Sequence, residues 1–268
     1  MNTIAEILLV GFGIMLVSLS GVLFLGGLTQ RWLSKNLPLL LSFSAGVFFL
    51  TAFDLVRESF ELLSATFAGL SVLGGYLLFL LLQRAIPESH HHHGADDCDD
   101  SHNERSALRI LLGDAIHNAG DGILLVPAFL ASPALGFATS ISIFAHEFLQ
   151  EISEFFILKG AGYSTGKALA RNFFASSTIL VGIFLGFILQ SLGEVQGVLL
   201  GVAAGGFLYI VFHDLILHRS TSLKGKRFVF HVVAFLFGAV AILYIGSLFV
   251  HGHGVESDQH DQEILHLE

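Results

Sequence analysis

The sequence predicts an all-α membrane protein with eight transmembrane helices, and three observations support this fold class. Of the 268 residues, 53% are hydrophobic and only 13% are charged, too few to cover a soluble domain of this length. Eight apolar runs are each long enough to cross a bilayer core about 30 Å thick. Lys and Arg cluster between alternate runs, as in loops that share one side of a membrane.

The eight runs define a single transmembrane domain over residues 1–268. They lie at about 4–28, 37–56, 63–82, 107–131, 134–158, 168–192, 195–217 and 228–250. None has the two-residue alternation of a membrane β-strand, so a helical bundle is expected. The third run is the least regular, because Gly69, Gly74 and Gly75 interrupt it. The first run lacks a basic leader and a cleavage site, so we expect it to be a retained span.

The basic residues predict the orientation of the bundle. All 13 Lys and Arg residues except Arg57 lie in the first, third, fifth and seventh loops. Loops rich in Lys and Arg stay in the cytoplasm, so both termini are expected outside. The predicted location is the plasma (inner) membrane.

Two polar segments stand apart from the runs. A cytoplasmic loop at about 84–106 carries the run His90–His93 and several Asp residues, and an extracytoplasmic tail at about 251–268 mixes His with acidic residues. Both are expected to be disordered. Short His-rich tracts favour loose metal binding, with a solvated spacer as the alternative.

The fourth run carries four polar residues within the stretch GDAIHNAGDGILL, residues 113–125. Asp114, His117 and Asp121 recur at helical spacing and share one face, with Asn118 beside them. At 1.5 Å per residue His117 lies about 15 Å into the membrane, near the midplane.

The fifth run carries a matching polar face, AHEFLQEISE, residues 145–154. Helical spacing pairs His146 with Gln150, and Glu147 with Glu151 and Glu154. His146 lies about 18 Å from its end of the run, the same depth as His117. The intervening loop is short, so the two helices are expected to be antiparallel neighbours. We therefore predict a divalent metal site between the fourth and fifth helices.

Energetics favour a metal over ordinary packing. An ionised Asp at the middle of a membrane helix costs about 2.5–3.5 kcal/mol, and neither motif contains Lys or Arg to compensate it. A divalent cation, protons or water must do so. Imidazole, carboxylate and amide ligands without thiolates suit Zn²⁺, Fe²⁺ or Mn²⁺. The alternative is that these groups only join helices by hydrogen bonds.

These motifs resemble a known family. His117-Asn118-x-x-Asp121-Gly122 and His146-Glu147-x-x-Gln150-Glu151 look like the paired signatures of the ZIP (Zrt/Irt-like) divalent metal transporters. The similarity extends to residues 44–48, 132–136 and 204–209. It implies an eight-helix transporter, commonly a homodimer, that carries zinc into the cytoplasm by alternating access. Iron, manganese and cadmium are the other candidate ions.

The resemblance also implies a set of metal ligands. They are His117, Asn118, Asp121, His146, Glu147 and Glu151. Asp114, Gln150 and Glu154 are expected in a supporting shell or along the pathway. Two departures stand out: Gly120 and Leu149 occupy positions where relatives often carry Pro, and the sixth run has no carboxylate. Whether the site holds one metal or two therefore stays open.

Polar residues near the ends of other runs predict an entry and an exit. Asp54, Glu58 and Glu61 fall near the outer end of the second run, where they would attract cations. His213 and Asp214 fall near the inner end of the seventh. The expected partners are divalent cations, as transported substrate, and the lipid bilayer; no fixed cofactor and no nucleic acid are expected.

Two functions other than transport are alternatives for this sequence. An intramembrane zinc-dependent hydrolase would use metal-bound water, but the zinc-protease helix motif needs His where this sequence has Gln150. A membrane scaffold that binds metal without transporting it is the other. We expect a transporter and not an enzyme.

Overall fold

The computed structural model describes residues 3–85, 100–192, 195–212 and 226–252, and throughout these ranges the regular structure is helical. The helices, in chain order, are α1 (Thr3–Val17), α2 (Gly27–Leu62), α3 (Ala65–Ala85), α4 (Asp100–Ala131), α5 (Pro133–Gly160), α6 (Thr165–Ser176), α7 (Thr178–Ser191), α8 (Gln196–Tyr209) and α9 (Lys226–Gly252). A 3₁₀ segment, Ser18–Phe24, continues α1.

Several helix boundaries differ from the predicted ones. Helix α2 begins at Gly27, well before the predicted residue 37, and the sixth run is divided at Ser177 into α6 and α7. Helices α3 and α4 include residues 84–85 and 100–106, so both ends of the loop predicted to be disordered are helical. Helix α9 likewise includes residues 251–252 of the predicted tail. The remainder of both segments lies outside the described residues.

Short polar sequences determine where the central helices begin. The Ser132 hydroxyl accepts a hydrogen bond from the Leu135 amide at 3.1 Å, and Pro133 occupies the first turn of α5. A serine cap followed by Pro is a favoured helix start, because Pro has no amide to leave unpaired. This short turn makes α4 and α5 neighbours that pack against each other, as predicted.

The helices form two groups by their contacts. Helix α4 packs against α7 and α5, with α1 and α6 beside them; α2 packs against α9 and α8, and α8 against α3. The groups meet mainly where α2 crosses α5. There the hydroxyls of Thr51 and Ser142, both fully buried, lie 2.7 Å apart. The predicted metal-site helices α4 and α5 thus belong to one group and face the other.

Glycine allows the closest helix contacts. A Cβ on Gly122 of α4 would collide with the Ile179 carbonyl oxygen of α7, and one on Gly182 of α7 would collide with the Ala119 carbonyl oxygen of α4. Equivalent reciprocal contacts join α2 to α9 and α3 to α8. The backbones of α4 and α7 therefore touch, as small residues at a helix interface allow.

The outer surface of the bundle is apolar. Among the described residues, five helical segments are long and apolar enough to cross a membrane: Thr3–Phe24, Lys35–Leu62, Ala65–Leu82, Thr165–Ser191 and Arg227–Tyr244. Gln196–Phe212 is apolar but shorter. Phe67 and Leu73 of α3 and Phe237 of α9 are among the many large side chains that point outward. An all-α membrane protein accounts for this surface, because lipid tails do not penalise exposed apolar side chains.

The α4–α7 contact predicts a sharp difference between two neighbouring glycines. Gly122→Ala should destabilise the fold by about 1–3 kcal/mol, because the new methyl group must separate the two backbones. Gly120→Ala is the matched control, since its Cβ meets no atom within 4 Å. Thermal unfolding in detergent, followed by fluorescence-detected size exclusion, measures both. Equal stability of the two variants would contradict the contact.

Candidate metal centre

Helix α4 places its polar residues on one inward face. Asp114, Asn118 and Asp121 are buried, and His117 is largely buried. The helix continues without interruption through Gly120, so the three- and four-residue spacings keep these side chains together. The face predicted from the sequence is therefore the one turned into the bundle.

Helix α5 places a second polar face against the first. Glu147 and Glu151 are fully buried and Glu154 is nearly so, while His146 and Gln150 are partly buried. Helix α5 is likewise continuous through Leu149. Two polar faces on packed neighbours bring imidazoles and carboxylates together inside an apolar bundle.

One group of possible ligands contains both histidines. His117, His146 and Glu147 each offer a ligand atom, and these atoms lie within 4.8 Å of one another. His117 Nε2 is 3.5 Å from Glu147 Oε1 and 3.7 Å from Asp121 Oδ2. Two imidazoles and one or two carboxylates are a common ligand set for Zn²⁺. We call this group the histidine position.

A second group contains only carboxylates. Asp114, Glu147 and Glu151 offer ligand atoms that also lie within 4.8 Å of one another. Glu147 belongs to both groups, so the two are contiguous. The two groups thus contain four of the six predicted ligands together with Asp114, and Asp121 lies beside them against His117.

Asn118, the sixth predicted ligand, lies between carboxylates of both helices. Its Nδ2 donates to Asp114 Oδ1 at 2.9 Å and to Glu147 Oε2 at 3.1 Å. The opposite amide orientation would bring Asn118 Oδ1 against two carboxylate oxygens. In this arrangement Asn118 therefore holds two acidic side chains in place through its nitrogen.

Gln150 plays a similar part on α5. Its Nε2 donates to Asp114 Oδ1 at 2.8 Å and to Glu154 Oε1 at 3.1 Å. Gln150 therefore links Asp114 of α4 to Glu154 of α5.

Several buried ligand atoms in the cluster form no hydrogen bond within the described structure. They are Asp114 Oδ2, His117 Nε2, Asp121 Oδ2, Glu147 Oε1 and both carboxylate oxygens of Glu151. Buried polar groups are normally hydrogen-bonded, because burial without a partner is costly. A concentration of such atoms at one place fits a cation-binding site, since a cation would satisfy several of them at once.

Aromatic rings from the other helix group cover the histidines. The Phe48 ring of α2 meets the His146 ring edge-on at 5.3 Å between centroids, and Phe207 of α8 packs against Phe48. Phe79 of α3 approaches the His117 ring at 6.3 Å. The ligands come from one helix group and this apolar cover from the other.

Two residues of α6 join the site without having been predicted. Asn172 Nδ2 donates to the Glu151 carbonyl oxygen at 3.0 Å, and Ser176 Oγ donates to Asn118 Oδ1 at 3.4 Å. Both side chains are fully buried. Their four-residue spacing within the sixth apolar run was the available signal, since it puts two polar groups on one helix face.

The predicted entry and exit residues do not join the cluster. Asp54 and Glu58 lie on α2, partly buried, and belong to neither ligand group. His213 and Asp214 lie outside the described residues. Their roles stay predictions.

Comparison with known proteins agrees with the motifs. A family profile described as ZIP Zinc transporter matches residues 87–246. The chain is 33% identical over 150 residues to zinc transporter ZIP4 of Mus musculus, which is 53% of this chain and 23% of that protein. It is 33% identical over 140 residues to zinc transporter foi of Drosophila melanogaster, covering 52% and 20%.

A third relative is named for a broader cargo. Metal cation symporter ZIP8 of Rattus norvegicus is 34% identical over 120 residues, which is 45% of this chain and 26% of that protein. The matched region thus spans about a quarter of the length of these relatives.

The central position of Asn118 predicts a clear effect on binding. Asn118→Ala should weaken Zn²⁺ affinity about 10- to 100-fold, because two carboxylates lose the donor that orients them. Asn36→Ala is the control, since the Asn36 amide donates to Trp32 within α2. Competition against a fluorescent chelator measures both affinities in detergent. Wild-type affinity in Asn118→Ala would contradict the orienting role.

Proposed function

The chain belongs to the ZIP zinc transporter family, and on that premise we propose that it carries divalent metal cations across the membrane through the α4–α5 cluster. The observation that carries this proposal is the set of buried imidazole and carboxylate atoms without hydrogen bonds around Glu147. In an apolar bundle a bound cation would compensate several such atoms at once. The metal is substrate here; no fixed cofactor is proposed.

Zinc is the proposed cargo, with iron, manganese and cadmium as the other ions that this ligand set accepts. Two imidazoles with carboxylates and no thiolate suit Zn²⁺ without the very tight binding of a cysteine site. The names of two relatives refer to zinc and that of the third to metal cations, which supports this range.

The proposed topology has eight spans with both termini outside and the cluster near the midplane of the plasma (inner) membrane. Its support is the distribution of Lys and Arg. Cations would enter near Asp54 and Glu58, bind at the cluster, and leave toward His213, Asp214 and the His-rich cytoplasmic loop by alternating access. Assembly as a homodimer belongs to the same proposal.

A zinc-dependent hydrolase is not favoured. Gln150 stands where the zinc-protease motif needs a second His, and its amide nitrogen is engaged by Asp114 and Glu154. The relatives described above are named as transporters or symporters, not as enzymes. The zinc-uptake measurement described below distinguishes a transporter from a scaffold that binds metal without transporting it.

Removing ligands should abolish uptake without unfolding the protein. We expect His117→Ala and Glu151→Ala to reduce ⁶⁵Zn²⁺ uptake into proteoliposomes to the level of empty liposomes, because each loses a group that contacts the ion. Each variant should elute from size exclusion as the wild type does.

The control is Asn36→Ala, which removes a side-chain amide that donates to the Trp32 carbonyl oxygen within α2 and belongs to neither ligand group. It should leave uptake unchanged. Wild-type uptake in both cluster variants would contradict the transport proposal. Saturable zinc binding by the wild-type protein without any uptake would instead favour a membrane scaffold that binds metal and does not transport it.

A further inference from the structure

A buried hydrogen bond joins the two helix groups close to the histidine position. The hydroxyls of Thr51 on α2 and Ser142 on α5 lie 2.7 Å apart, and both residues are 0% exposed. Ser142 Oγ also donates to the Ala138 carbonyl oxygen at 2.9 Å, which uses the single proton that a serine hydroxyl carries. Thr51 is therefore the donor of the pair, and its hydroxyl ties α2 to α5.

The same two helices meet again at the predicted ligand His146. Ser142 precedes His146 by four residues on α5, and Thr51 follows Phe48 by three residues on α2, so each pair shares one helix face. The Phe48 ring is 1% exposed and packs edge-on against the His146 ring. The hydrogen bond and the ring contact are thus adjacent along one interface, and the hydrogen bond fixes where Phe48 lies along α5.

The position of Phe48 matters because the rest of the cluster is closed. Five residues of the cluster are at most 2% exposed: Asp114, Asn118, Asp121, Glu147 and Glu151. The imidazoles are the more accessible ligands, and His117 has 18% of its side chain exposed. Phe207 of α8, which is fully buried, packs against Phe48 from the side of the other helix group. Movement of an ion past the α2 side of His146 therefore requires α2 and α5 to separate.

We propose, resting on the function proposed above, that Thr51 is a positioning residue: it holds Phe48 over His146 and so limits how fast a divalent cation enters and leaves the cluster. The ligand atoms of both groups belong to α4 and α5, so separation of α2 leaves them in place. The Thr51 hydroxyl bonds to Ser142 and not to a ligand atom, and it stabilises the covered arrangement equally with and without a bound ion.

This role separates the rates of binding from the affinity. An interaction that does not distinguish the ion-bound from the ion-free protein cannot change the binding equilibrium. Loss of the Thr51 hydroxyl should therefore speed the entry and the release of the ion by the same factor. Loss of a ligand would instead weaken the affinity.

The test measures zinc release from the purified full chain in detergent. Protein loaded with Zn²⁺ is mixed with excess chelator in a stopped-flow instrument, and the release phase of the cluster is the one that His117→Ala lacks. Affinity for Zn²⁺ is measured on the same samples by competition against a fluorescent chelator. The two main variants are Thr51→Val, which keeps the branched shape and removes the hydroxyl, and Thr51→Ser, which keeps the hydroxyl.

Thr51→Val should release zinc about 2- to 10-fold faster than wild type, because one hydrogen bond no longer opposes the separation of α2 and α5. Its affinity should stay within about twofold of wild type, and Thr51→Ser should restore slow release. Ser142→Ala should also release zinc faster. The double variant Thr51→Val/Ser142→Ala should be no faster than the faster single variant, since both changes remove the same bond.

Thr139→Val is the matched control. Thr139 is also a fully buried threonine, on α5, but its hydroxyl oxygen forms no hydrogen bond within the described structure. Its replacement should leave the release rate unchanged. If Thr51→Val does not elute as a folded protein, Ser142→Ala takes its place in the comparison.

Three results would overturn the positioning role: release at the wild-type rate in Thr51→Val, equally fast release in Thr139→Val, or an affinity loss in Thr51→Val as large as its gain in release rate. The last result would make the hydroxyl part of the binding site. Each leaves the transport proposal standing if the wild type takes up zinc. Conversely, fast release from Thr51→Val together with a wild type that shows no uptake would retain the positioning role and reject transport.

Discussion

The burial of Glu147 is the constraint on which the rest of the site depends. A carboxylate at full burial in an apolar bundle must be compensated, and the neighbouring amide and imidazole groups contribute to that compensation. Asn118 donates to it, His117 lies within 3.5 Å of it, and both ligand groups include it. A cation bound in the cluster would therefore lie against this one side chain.

Close helix packing brings hydrogen-bond donors to the buried carboxylates around Glu147. The reciprocal glycine contact between Gly122 and Gly182 brings α7 directly onto α4, and the adjoining α6 then supplies Asn172 and Ser176 to the cluster. Side chains at these glycines would separate the helices and leave the carboxylates with fewer donors. The close packing of α7 on α4 and the hydrogen bonds from α6 to the cluster therefore depend on each other.

Much of the site could be predicted from local sequence. Helical periodicity alone puts His117 beside Asp121 and His146 beside Gln150, and a Ser-Pro turn is enough to make α4 and α5 neighbours. The all-helical membrane class also followed from composition. These features depend on residues close together in the chain, which is why a single sequence reveals them.

The remainder depends on contacts between distant segments. Asn172 and Ser176 carry no charge, and their place beside the acidic cluster follows from how α6 and α7 pack on α4 and α5. The orientation of the Asn118 amide depends on carboxylates from two helices. The break at Ser177 and the early start of α2 lie within or beside apolar runs whose hydropathy predicts a span but not its boundaries.

The aromatic cover over the histidines has a consequence for hydration. Phe48 and Phe79 offer no oxygen or nitrogen to an arriving ion, so every water that the ion loses at the histidine position must be replaced by a ligand from α4 or α5. Ions that exchange their water shell easily can make that replacement stepwise. Mg²⁺ dehydrates reluctantly and prefers to keep several waters. The rings thus favour easily dehydrated cations before any ligand preference acts.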